Sequence, residues 1–178
     1  MDWAKEIGGM LNTYEAANPQ AAPASVHDDF DKVAAKAPPA EVADGLAAAF
    51  RSDHTPPFGD MLGQLFGQSS GPQRAGILNQ LLATVGPGVA AAILGRALGP
   101  RAPQDLGQAT PRVDDATAAQ VPPGAVAEIA AEAEKKDPSI VDRISHAYAQ
   151  QPQIVKTLGK VALTVALAQM AKKQWAAR

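Results

Sequence analysis

The chain has 178 residues, 16 Lys and Arg against 18 Asp and Glu, a formal charge of -2 and a pI near 5.9, which excludes a globally basic nucleic-acid binder. It has no cysteine, so a disulfide framework, a Cys-based zinc site, an iron–sulfur cluster and a cysteine nucleophile are excluded as well. Alanine accounts for 38 residues and the larger apolar types for about 44, a composition that favours closely packed helices, because Ala is the strongest helix former and is depleted from strands.

Prolines and Asn, Asp, Ser or Thr caps recur along the chain, each introducing a segment of helical period. The first helix is predicted over 2–17, with Trp3, Ile7, Met10, Leu11 and Tyr14 on one stripe, weakened by Gly8 and Gly9. Ser25, followed three residues later by Asp28, opens a second helix carrying Val26, Phe30 and Val33, which ends before Pro38. Pro39 opens a third with Val42, Leu46 and Phe50 on one face. Thr55 as cap and Pro56 at the first helical position open a fourth with Phe58, Met61, Leu62, Leu65 and Phe66. Ser70-Gly71-Pro72 starts the fifth, whose Ile77, Leu78, Leu81, Leu82 and Val85 form the clearest core stripe, and Gly86-Pro87 stops it.

A sixth helix covers 88–98, Thr110-Pro111 starts a short seventh, and Val121-Pro122-Pro123 starts an eighth with Val126, Ile129, Ala130 and Ala133 inward. Asp137-Pro138 starts a ninth with Ile140, Val141, Ile144 and Tyr148. Gln151-Pro152 introduces the last and longest, over 153–175. Ile154, Leu158, Val161 and Val165 lie on one face of it and Leu163, Leu167 and Met170 on nearly the opposite one, so it should be buried on two sides. The expected neighbours are the eighth and ninth helices on one side and the N-terminal half or a second subunit on the other.

No alternation of period two persists over a strand length, so the predicted fold is all-α: a compact bundle of about nine to ten short helices with a long central C-terminal helix. Residues 100–110 have little apolar periodicity and are the predicted linker. They separate an N-terminal helix and loop (1–24) and an N-terminal helical half (25–99) from a C-terminal helical half (111–178), the two halves forming either two domains or one. The acid-bearing N-terminus is not a secretory signal, and no apolar run reaches the length of a membrane span. A soluble, cytoplasmic protein is expected.

The histidines His27, His54 and His146 each have a carboxylate nearby in sequence. His27 and Asp31 are four residues apart and offer two metal ligands on one helix face, but neither HExxH nor EF-hand spacing is present. First-turn acids complementing a helix dipole account for Asp28, Asp29 and Asp31 more simply. Ser69-Ser70 lies in Gln-Ser-Ser-Gly with no strand before it, a helix–helix turn and not a nucleophile elbow, and the glycines of 67–71 lack the Gly-Lys-Ser/Thr of a phosphate loop. Asp114 and Asp115 are adjacent, so their side chains point apart on a helix. The reading is therefore of a non-enzyme with no catalytic residues, no cofactor and no metal.

Two features point toward partners. Gly59, Gly63 and Gly67 line one face of the fourth helix, a strip that costs about 1 kcal/mol per glycine in helix propensity. Close approach by another backbone would offset that cost: either a partner helix docked there or internal packing against the Ala-rich third or sixth helix. Charge is also uneven, about -4 over 1–99 and +2 over 100–178. After Asp142 there is no acid, and Lys156, Lys160, Lys172, Lys173 and Arg178 form a basic surface that suits an anionic membrane or an acidic partner. Cations complementing the C-terminal end of the last helix explain part of it.

The stretches 30–67 (FDKVAAKAPPAEVADGLAAAFRSDHTPPFGDMLGQLFG), 76–88 (GILNQLLATVGPG) and 137–171 (DPSIVDRISHAYAQQPQIVKTLGKVALTVALAQMA) resemble a group of Ala/Gly-rich proteobacterial proteins of unknown function. The short Gly-rich helices and Pro-introduced C-terminal helices are also similar to those of YidB-like proteins. The resemblance implies an all-α bacterial protein and brings no activity, cofactor or site residue. The expected function is a helical protein–protein interaction or self-association module, with two alternatives: a bundle carrying an apolar ligand such as an acyl chain between the fifth, sixth and last helices, or peripheral attachment to a membrane surface. Nucleic acid is not an expected partner.

Overall fold

A computed structural model describes residues 3–16, 18–104 and 111–176. Among them all regular structure is helical, in the order α1 (Trp3–Glu15), α2 (Val26–Lys36), α3 (Pro39–Arg51), α4 (Phe58–Gly67), α5 (Gly71–Val85), α6 (Pro87–Leu98), α7 (Asp115–Gln120), α8 (Pro123–Lys136), α9 (Ile140–Ala149), α10 (Pro152–Val155) and α11 (Lys160–Ala176), with short 3-10 turns at Pro19–Ala21, Gly99–Arg101 and Lys156–Leu158. The protein is all-α. Several helix starts differ from the cap reading; α9, for one, begins at Ile140 and not at Asp137-Pro138. α4 begins at Phe58, because the Thr55 hydroxyl donates to the carbonyls of Ala49 (2.6 Å) and Ser52 (3.0 Å) and so closes the turn after α3 instead of capping the next helix. α7 begins at Asp115, where Asp114 accepts a hydrogen bond from the Thr117 amide at 2.7 Å as a side-chain cap; Thr110 of the expected start lies outside the described residues.

The helices group into two units, one built from 1–56 with 142–178 and one from the continuous segment 57–141. The expected division at 100–110 is not where the chain separates; residues 105–110 of that linker lie outside the described residues. In the first unit α11 packs principally on α3 and α1, and also on α2. It does so through Leu163, Ala166, Leu167, Met170 and Ala171, all buried. Gly45 makes the α3 approach possible, since a Cβ there would stand 2.8 Å from the Ala166 carbonyl oxygen. The last helix is thus a strut, but of a unit built with the N-terminal helices, whereas α8 packs on α4, α5 and α6.

The expected helix over 153–175 is also broken. Gly159 takes φ +92°, a conformation that L side chains rarely adopt, and α10 with its 3-10 turn meets α11 at a bend of 119°. α1 is part of the same core and not a separate segment: Ile7, Leu11 and Tyr14 are buried, and Lys36 pairs with Glu6 at 3.1 Å. No single helix among the described residues is long and apolar enough to cross a membrane.

In the second unit α4 lies along α8, and α5 contacts α6, α7 and α8. Its core holds Phe58, Leu62, Leu65, Phe66, Leu78, Leu82, Leu94, Val126 and Ile129. Long polar side chains close its helix ends. Arg74 donates to the carbonyls of Phe66 (3.0 Å), Gly67 (2.9 Å) and Ala119 (3.2 Å), satisfying the last turns of α4 and α7, and its guanidinium stands 5.3 Å from the Phe66 ring centre. Asn79 exchanges two hydrogen bonds with the backbone of Val113, at 2.8 and 3.1 Å, tying the segment that leads into α7 to α5.

Candidate interaction surface

The glycine strip is the first sequence candidate, and it is largely filled from within. A Cβ on Gly59 would lie 2.4 Å from the Ala127 carbonyl oxygen, and one on Gly63 2.8 Å from that of Pro123. The backbone seated on the strip is that of α8, not the third or sixth helix. Gly67 is exposed, and its Cβ would meet only the Pro123 ring, at 3.9 Å. Neither Gly59 nor Gly63 is therefore a free docking face.

The basic surface divides in the same way. Lys156 is paired with Asp31 at 2.7 Å. Lys173 holds both Asp44 and Glu41, the latter at 3.4 Å, and the Asp44 carboxylate foremost raises its pKa above the usual lysine value. These two cations fasten the last helices to α2 and α3. Lys160 and Lys172 are exposed, and neither has an ion pair among the described residues. Arg178 lies outside the described residues.

Between those two lysines α11 turns one face to solvent. Val161, Val165, Ala168 and Gln169 are all half-buried, Lys172 is exposed, and the three apolar positions sit at i, i+4 and i+7 on one stripe. Of the two faces expected to be buried, the one with Leu163, Leu167 and Met170 is buried, and the one with Val161 and Val165 is this half-exposed one. Beside the stripe runs a groove of about 460 Å³, lined by Asp44, Ala47, Ala48, Arg51, Asp142, Gln169 and Lys173. Arg51 grips Asp142 across it with two parallel hydrogen bonds of 2.9 Å, and that guanidinium holds the Asp142 carboxyl below the usual carboxylate range. The groove lining is mostly charged or polar, with Ala47 and Ala48 as its apolar members.

The remaining sequence candidates do not converge. His54 and His146 are exposed, the latter with Nδ1 2.8 Å from the Asp142 carbonyl oxygen, and His27 is half-buried. Among the described residues no three His, Asp or Glu side chains come together as metal ligands. Asp29 stands in the first turn of α2 as expected, and it also accepts the Tyr14 hydroxyl at 2.5 Å. Sequence reasoning missed the structural roles of Arg74 and Asn79, whose partners are carbonyls and amides at long range that no spacing signals. Comparison of the chain with protein-family models, with curated proteins and with solved structures finds no match in any of the three.

Proposed function

We propose that the chain is a non-catalytic helical interaction module that binds another protein through the solvent side of α11. One observation carries this: the helix at the centre of its unit leaves Val161, Val165 and Ala168 only half-covered, in a row, on the side away from its own core. Apolar residues exposed singly need no explanation, but a row at helical spacing offers a partner helix a seam. Covering what remains exposed of three small side chains is worth about 1 kcal/mol each at most. The complex is therefore of modest affinity unless the adjoining groove takes part. The resemblance to Ala/Gly-rich proteobacterial proteins belongs to the same proposal and adds no activity to it.

The test is native mass spectrometry of the protein purified gently from its host. A stoichiometric complex is expected, lost in Val165→Glu and retained in Ala83→Glu, an exposed position on α5. A bare 18.3 kDa monomer, or a complex indifferent to Val165→Glu, overturns the proposal. Added mass of a few hundred daltons without a second protein replaces it with the apolar-ligand reading.

A further inference from the structure

We draw no further inference here: the strongest candidate, the groove of about 220 Å³ at the start of α6 lined by Val85, Val89, Glu132, Lys135 and Lys136, carries nothing, because it is a helix N-terminus whose two exposed lysines already hold Glu132 and the Val85 carbonyl, and none of its polar side chains is buried.

Discussion

Tyr14 is fully buried and donates a 2.5 Å hydrogen bond to Asp29 Oδ2, which also accepts from the Ser25 hydroxyl at 2.9 Å. Its position on the apolar stripe of the first helix was legible from the sequence; the acceptor for its hydroxyl, fifteen residues away, was not. Burial first, then the hydrogen bond and charge of Asp29, push the phenol pKa well above its ordinary value of 10.0. The native state therefore keeps the proton that the unfolded chain gives up as pH rises past 10.0. The stabilisation from Tyr14 is fully present below that pH and is lost progressively above it. Tyr14→Phe should cost about 1 kcal/mol at neutral pH, because a buried hydrogen bond goes while the half-buried Asp29 keeps Ser25 and water. It should also flatten the fall in stability above pH 10. Urea unfolding of both proteins at neutral and alkaline pH measures this, and parallel alkaline slopes would exclude Tyr14 as their source.

At the scale of elements, the α4–α8 seam shows what glycine spacing encodes and what it leaves open. Every fourth position is small, so a backbone can come close; any Ala-rich helix could supply that backbone, which is why the sequence pointed to the third or sixth helix while α8 is the one seated there. Gly59→Ala would drive a Cβ to 2.4 Å from the Ala127 carbonyl oxygen, forcing the two helices apart at a cost of about 2–4 kcal/mol. Gly67→Ala, with only an ordinary 3.9 Å contact to Pro123, should be neutral or gain up to about 0.5 kcal/mol from helix propensity. Thermal unfolding of the two variants separates them, and similar effects would refute the seam. Helical period made most elements legible because burial repeats along each one. The break at Gly159 was not read, since an apolar pattern continues across it and the φ of +92° is a property of the tertiary turn. Burial of α11 on both sides holds only for the Leu163, Leu167 and Met170 face: with apolar residues on two sides, the helix does not say which side its neighbours will leave open.

At the scale of the whole molecule, one unit is assembled from the two ends of the chain and the other from its middle. Local punctuation at 100–110 could not reveal this. The joining contacts of the first unit pair residues far apart in sequence: Lys156 with Asp31, Lys173 with Asp44, Arg51 with Asp142, and the close approach of Gly45 to Ala166. The arrangement makes the two ends unequal in what they can lose. The segment 57–141 contains its own buried Phe58, Leu62, Leu78, Leu82, Leu94, Val126 and Ile129, together with the Arg74 and Asn79 closures of its helix ends. Expressed alone it should fold with a single cooperative urea transition, marginal in stability as domains of its size are. A chain ending after Val141 instead deprives α1, α2 and α3 of α11, the helix that all three pack upon. Isolated helices of their length are not stable in water, so its far-ultraviolet circular dichroism should lose the helical signal of the first 56 residues along with that of the deleted ones. Retention of that signal, or a segment 57–141 that unfolds without cooperativity, would show that the helices do not divide their cores in this way.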